Sequence, residues 1–413
     1  MVFLRKNMLA ILLLAYSTVT GQDTSYTQLT TIVVSANKLK EKRIESPVAI
    51  SILSPKTVDE AKAQRIDFLL NKVSGVYMPT IGNEQHMMSI RQPISLKGLY
   101  LYLEDGMPIR TSGLFSSNAL IEMNSSNIHS IEIIKGPASA LYGAEAIGGV
   151  VNILTTPVPS KADAFISTQI TNTGFKKLDL SWGAPTKTGG WMISAALTDQ
   201  KNGITEYSDF NKKALSVKRT FRVNEKLKGY QNLQYINYYT QMTGSLDSIK
   251  FFQKNFGSQQ SFTFRKIDAL RFRQNLDYNW NTHSNTTFNF MYRNNTMYQN
   301  PAYLIASTAN ATKFKGQVNS NHFDAYVLDL QHIWSIPLLS SKIMLGGYWD
   351  ITNQNLIANY IDIVKDTSIG KFTKYTYPIR DSLITNYNTQ ISNKAIYFNY
   401  IANLNKAIRL NMT

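Results

Sequence analysis

Few side chains in this sequence are suited to chemistry. His86 stands beside Met87 and Met88 at the end of the stretch 82–88, and an imidazole next to two thioethers is a ligand set that suits a metal or a haem iron. A lone histidine in a loop is more often polar surface, and that reading is the favoured one. The second concentration is of glycines: Gly136, Gly143, Gly148 and Gly149 fall within the stretch 131–156. Glycines ahead of a helix can cradle a phosphate. No Lys-Ser/Thr follows them, however, and their spacing fits no dinucleotide fingerprint. The chain has no cysteine, so disulfides, thiolate metal sites, a cysteine nucleophile and a lipoprotein anchor are all excluded. With five histidines and no G-x-S-x-G or H-E-x-x-H pattern, no catalytic constellation is present. Neither an enzyme nor a bound cofactor is expected.

The elements that carry these residues follow two grammars. Arg5 and Lys6 precede an apolar run over 8–15 and a small, polar stretch over 17–21, the order of a secretory signal peptide. Residues 1–21 are read as that signal, and 22–43 as an extended tail. Residues 44–157 read as a compact mixed α/β unit. A short strand over 47–53 leads to Ser54 as a helix N-cap, with Pro55 at the first helical position. The periodicity then predicts one helix up to Gly75, with Ala61, Ile66, Leu69, Leu70 and Val73 as its apolar stripe. Residues 100–110 predict a hairpin that turns at Asp105-Gly106. In the glycine-rich stretch, 131–134 is a buried strand ended by Gly136-Pro137. Residues 139–143 form a helical turn stopped by Gly143. Gly148-Gly149 lets the chain bend or approach a neighbour closely before the strand over 150–154.

From about residue 160 the pattern has period two. Leu270, Phe272, Leu276, Tyr278 and Trp280 share one face of a strand, and Arg271, Arg273, Asn275, Asp277 and Asn279 share the other. A soluble sandwich and a membrane barrel both fit such strands, and three features favour the barrel. The polar face is charged or Asn-rich, as a wet lumen permits. Trp182, Trp191, Trp280 and Trp334 sit toward strand ends, as an interfacial girdle requires. Connections alternate in length, short over 281–285 and long near 295–321 and 352–393. Residues 158–413 are therefore expected to form about 10–12 strands of an outer-membrane barrel, at some 20–25 residues per strand with its connection. The net charge of +16 is scattered over the surface, and nucleic acid is not an expected partner.

The stretch 131–156 closely resembles the end of the plug domain of the TonB-dependent receptors of the bacterial outer membrane, I-E-V-I-x-G-P-x-S-x-L-Y-G-x-x-A-x-G-G-V-I-N-I-x-T. The matching residues include Glu132, Gly136, Pro137, Tyr142, Gly143, Gly148, Gly149 and Asn152. The hairpin around Asp105 and Gly106 resembles the family's D-G-V/I-P turn. Thr31, Ile32, Val33, Val34, Ser35 and Ala36 resemble the TonB box. Two positions depart from the pattern: Lys135 stands where arginine is usual, and Arg91 is followed by Gln92 where glycine is common. A plug-to-barrel ion pair is expected at these two sites.

The resemblance implies an incomplete antiparallel up-and-down transmembrane β-barrel with an N-terminal mixed α/β plug. It implies about 22 strands in a whole barrel, so a fragment or truncated product is expected. It further implies TonB-dependent uptake of a large scarce ligand, a ferric siderophore or similar iron complex. The partners are then the TonB protein, a small-molecule metal chelate and outer-membrane lipid. Ligand contacts fall to plug loops facing outward, at His86, Met87 and Met88 and, within 110–118, at Arg110 and Phe115. Arg110 suits an acidic ferric chelate, and a solvated arginine fits equally. Cobalamin, haem or glycan are alternative cargoes, and a non-transporting surface binding protein or adhesin is the alternative of a different class.

Overall fold

The computed structural model describes residues 32–33, 38–39, 41–95, 97–111, 118–308, 313–377, 382–405 and 408–413. The N-terminal core is built on a five-stranded mixed sheet. Its strands are β1 (Ile50–Leu53), β2 (Tyr100–Glu104), β3 (Met107–Pro108), β4 (Ile128–Ile134) and β5 (Gly149–Thr155), in the spatial order β1-β4-β5-β2-β3. β2 and β5 run parallel, and the other pairs are antiparallel. β4 and β5 sit in the middle and are buried on both faces, which is why their β-branched residues fall in adjacent positions, as at Ile133-Ile134 and Val150-Val151, rather than in strict alternation. The expected hairpin is present, with Asp105 and Gly106 both at positive φ (47° and 84°), the type I′ geometry that suits Asp-Gly.

The long helix expected from Ser54 to Gly75 is two short ones, α1 (Pro55–Glu60) and α2 (Ile66–Leu70). Ser54 does cap the first, its hydroxyl accepting from the Thr57 amide at 3.1 Å. Lys62 then turns left-handed at φ 44°. Tertiary contacts override a favourable local sequence here. The break frees the Lys62 carbonyl, which accepts from the Gln169 side chain at 3.2 Å, and re-aims α2 so that Leu69 and Leu70 enter the core. Further on, α3 (Ser139–Tyr142) ends as expected at Gly143, at φ 74°, whose amide donates to the Ser139 carbonyl at 2.9 Å.

The remainder is a second sheet of 13 strands among the described residues. Eleven of them run in sequence order, each antiparallel to the next. They are β6 (Asp163–Ile170), β7 (Phe175–Thr186), β8 (Gly189–Gln200), β9 (Phe210–Arg222), β10 (Leu227–Gln241), β11 (Phe264–Asn281), β12 (Ser284–Asn300), β13 (Lys313–Ile336), β14 (Ser341–Asp366), β15 (Leu383–Asn403) and β16 (Arg409–Met412). Two shorter strands, Ala306–Ser307 and Lys371–Thr376, lie off this path. The edge strands β6 and β16 do not pair with each other. The architecture is thus an incomplete antiparallel up-and-down barrel beside an N-terminal mixed α/β domain. No helix among the described residues is long and apolar enough to cross a membrane.

Strand lengths grow along the chain, from 8 residues in β6 to 24 in β13 and 26 in β14. About 9–11 tilted residues cross a bilayer, so the later strands project beyond it. This corrects the long connections expected near 295–321 and 352–393. Most of those residues continue the ladders of β12, β13, β14 and β15 past the membrane, leaving connections of moderate length. The convex face carries exposed Leu197, Leu215, Leu233 and Leu328. Trp182, Trp191, Trp280 and Trp334 are all exposed on it, and all four lie at the ends joined by short turns. The tryptophans therefore mark one interface, on the short-turn side.

Candidate functional site

The concave face is not the wet lumen that its polarity suggested. On β11 the inward positions are Arg265, Ile267, Ala269, Arg271 and Arg273, all buried. They meet the five-stranded domain, which acts as a plug against the wall. Arg271 Nη2 lies 2.7 Å from Glu104 Oε2 and 2.8 Å from the Glu122 carbonyl, and its Nη1 lies 3.5 Å from Glu122 Oε2. Arg273 donates to the carbonyls of Glu104 and Asp105, each at 3.0 Å. Arg293 on β12 joins Asp350 on β14 at 2.6 Å to the plug, through the Pro108 carbonyl and the Thr111 hydroxyl. Lys212 and Lys218 on β9 reach Glu84 at 2.5 Å and Asp105 at 3.4 Å. A buried charge is tolerated only when paired and hydrogen-bonded, and nearly every cation on this wall is answered by a plug acid or carbonyl.

The Asp-Gly turn is the plug's most densely bonded point. Asp105 accepts from the Thr155 amide at 2.8 Å and from its hydroxyl at 2.6 Å, while the Gly106 amide donates to Asn152 Oδ1 at 2.9 Å. Burial would raise the Asp105 carboxyl, but Lys218, Arg273 and the Thr155 bonds outweigh it and hold the group below the ordinary carboxylate range. Glu132 is buried opposite Asn152 in the same sheet. A Cβ on Gly148 would stand 2.6 Å from the Tyr100 ring, and one on Gly149 would stand 2.6 Å from the Ile134 carbonyl oxygen. These two glycines serve close packing, not anion binding. Gly136 turns the chain at φ 154°, and Pro137 is exposed beside it.

Among the described residues no plug-to-barrel ion pair forms at Arg91 or Lys135, which corrects that expectation. Both bonds stay within the plug: Arg91 Nη1 donates to the Lys135 carbonyl at 3.4 Å, and Lys135 Nζ to the Ser74 carbonyl at 2.8 Å. The ionic contacts run instead through Glu84, Glu104, Asp105 and Glu122. Sequence reading missed Glu104 and Glu122. The signal was the pair Arg271 and Arg273 opposite a lipid-facing row, since arginines on the inner face of a filled barrel need acids from the filling.

Outside the plug, on the side of the longer connections, lies a cavity of about 910 Å³. Its floor includes Thr80, Asn83, Gln85, Arg110 and Asn118 of the plug. Its walls include Ser208, Gln241, Gln260, Arg265, Gln299 and Tyr303. Arg110 thus opens onto this vestibule, paired at 2.5 Å with Glu122. His86, Met87 and Met88 do not line it. They bound a separate narrow gap with Tyr100, Tyr102 and Asn118. His86 is buried rather than polar surface, its Nδ1 is 3.0 Å from the Glu84 carbonyl, and its ring stands edge-on to Tyr102. Burial lowers its pKa to about 4, so the ring is neutral at physiological pH. No group of three or more His, Cys, Asp or Glu side chains placed to hold a metal occurs among the described residues. Phe115 lies outside the described residues.

The segment after the box is tied to the inner wall. Lys38 Nζ lies 3.2 Å from Asp329 on β13, 3.8 Å from the Tyr397 ring centre and 5.3 Å from that of Tyr142. Leu39 is buried against Leu141, Met344 and Tyr397, and Arg409 pairs with Glu41 and Glu45. Of the box itself, Ile32 and Val33 form a two-residue strand. Thr31, Val34, Ser35 and Ala36 lie outside the described residues.

Residues 42–150 match the model of the TonB-dependent receptor plug domain. Over 176 residues the chain is 27% identical to the vitamin B12 transporter BtuB of Vibrio vulnificus, which is 42% of this chain and 28% of that protein. Among solved structures, the ferripyoverdine receptor of the outer membrane of Pseudomonas aeruginosa superposes with a TM-score of 0.77 at 12% identity, covering 92% of this chain and 53% of that one. The unliganded ferric citrate transporter FecA gives 0.67 at 15% identity, over 88% of this chain and 62% of that one. The ferric preacinetobactin receptor BauA of Acinetobacter baumannii gives 0.64 at 11% identity, over 90% and 57%. The chain thus spans roughly half to three-fifths of the receptors it superposes on.

Proposed function

We propose that this chain, whose residues 42–150 match the plug-domain model, is part of a TonB-dependent receptor of the bacterial outer membrane and serves active uptake of a large scarce ligand, most simply an iron chelate. The observation that carries this reading is the vestibule. It is large enough for a chelate of drug-like size or more. It opens on the side of the longer connections, and its floor is the plug. A ligand resting there touches both the part that must move and the wall that stays.

The outer membrane has neither ATP nor an ion gradient, so the energy must arrive through a protein contact. In this reading residues 22–43 form a periplasmic tail, 44–157 the plug and 158–413 the part of the barrel present. The box at 31–36 adds as a strand to the TonB protein, main-chain hydrogen bonds giving the grip. Tension is passed first to the Lys38–Asp329 contact and then to the plug. A path opens only when the charges along β11 part from Glu104 and Glu122. The barrel's apolar face meets lipid, and the inner pairs hold the plug until it is pulled.

The test is deletion of 31–36 in a receptor carrying this chain, followed by accumulation of radiolabelled ferric chelates in an iron-starved host. Loss of uptake with surface binding retained supports the reading. Unimpaired uptake overturns it. A second cargo, cobalamin, is favoured by the match to the B12 transporter, and labelled cyanocobalamin in the same assay separates the two.

A further inference from the structure

The vestibule carries an unbalanced charge. Three arginines line it, Arg65, Arg110 and Arg265, and no aspartate or glutamate does so among the described residues. Arg65 is spent on Asp67, with bonds of 3.1 and 3.3 Å. Arg110 is spent on Glu122. Arg265 has no carboxylate within ion-pair distance among the described residues. Its Nε donates to Gln299 Oε1 and its Nη1 to Gln85 Oε1, both at 2.8 Å, and its third polar neighbour is the Tyr303 hydroxyl. The residue is nevertheless only 6% exposed.

Its two companions on the same face of β11 show what the fold does elsewhere. Arg271 is met by plug carboxylates, and Arg273 by two plug carbonyls beside Asp105. Only at the outer end of the strand is the guanidinium left with neutral amides. Taking a cation out of water costs several kcal/mol unless an opposite charge repays it, and amide oxygens repay only part. The planar fork of arginine is suited to bind a carboxylate in two places, and a low-dielectric recess strengthens that attraction.

We propose that Arg265 makes the vestibule anion-selective, so that its cargo is a metal chelate of net negative charge presenting a carboxylate or similar oxyanion to this guanidinium. The proposal rests on the uptake reading above and narrows its cargo. Because Gln85 belongs to the plug, an anion that draws Arg265 away from Gln85 also loosens a plug-to-wall contact, which couples occupancy to the floor of the site.

The experiment measures equilibrium binding to the full chain in detergent. The probes are the anionic iron(III) complex of citrate, an electroneutral iron(III) trihydroxamate and cyanocobalamin. Tighter binding of the ferric citrate probe is expected, weakening as salt is raised. Arg265→Gln should lower that affinity about 10–100-fold, the size of a lost charge-assisted hydrogen-bond pair. Arg265→Lys should recover part of the loss. Weak binding of the neutral probes, unchanged in Arg265→Gln, shows that the site is still folded. Preference for a neutral probe, an equal effect of the substitution on all three, or no recovery with lysine overturns the anion selectivity and leaves the uptake reading standing. Binding of none of the three overturns both.

Discussion

Arg271 on the wall and Glu104 on the plug lie 2.7 Å apart, each about 5% exposed, although 167 residues separate them in the chain. The pair fixes where the plug sits, because Glu104 without Arg271 would be a buried charge with no cation among the described residues. Arg271→Ala strands Glu104, while Glu122 keeps Arg110, and should destabilise the plug's seating by about 3–5 kcal/mol. Glu104→Ala should cost less, since Glu122 remains. The double variant should cost less than the sum of the two. The chain has no cysteine, so Ser130→Cys at a buried plug position reports seating by its rate of thiol labelling. Strict additivity would show that the two residues do not act as a pair.

Asp105→Asn should weaken the hairpin by about 2–3 kcal/mol, since it removes a charge shared by Thr155 and Lys218. The sign of the pH effect follows from the lowered folded pKa. The contribution is complete above the ordinary carboxylate value of about 3.9 and is lost as pH falls through the folded value. Amide hydrogen exchange at Thr155 reads it: the wild type and Asp105→Asn should converge on acidification, and a constant gap would refute the assignment.

His86 has the same sign for a different reason. Its folded pKa is about 4, because burial disfavours the charged ring. The unfolded chain therefore binds the extra proton first. Stability is full above about 6.5 and declines as pH falls toward 4, by up to about 3 kcal/mol. The cost of His86→Gln should shrink between pH 7 and pH 5, measured by the same thiol-labelling rate in each background. A cost that grows over that interval would mean that the imidazole is charged in the fold.

Lys38→Ala should free the segment behind the box. Asp329 would lose its cation, and the Tyr397 and Tyr142 rings would lose theirs. Tryptic cleavage after Arg43 in isolated outer membranes should accelerate about 10-fold, corresponding to a clasp of about 1.4 kcal/mol. Cleavage at the wild-type rate would remove Lys38 from the load path.

The sequence by itself determined the elements whose cause is local. Asp105-Gly106 specified its turn because few residue pairs accept two positive φ values in succession. Period-two patterning specified the antiparallel strands and which rows face lipid, because one face of a strand must match the hydrocarbon. The stretch 131–156 specified the plug's last strands through glycines that admit the Tyr100 ring and the Ile134 carbonyl. Only the tertiary structure decided the rest. It broke the helix at Lys62 against local propensity, because the core needed α2 at another angle. It carried the later strands beyond the bilayer, where pattern had suggested loops. It buried His86 and turned an expected wet lumen into a dry, charged seam. Which acid answers which arginine, and which arginine goes unanswered, depends on residues brought together across more than a hundred positions. Charge pairing acts over ångströms in space and leaves no period in the chain from which it could be read.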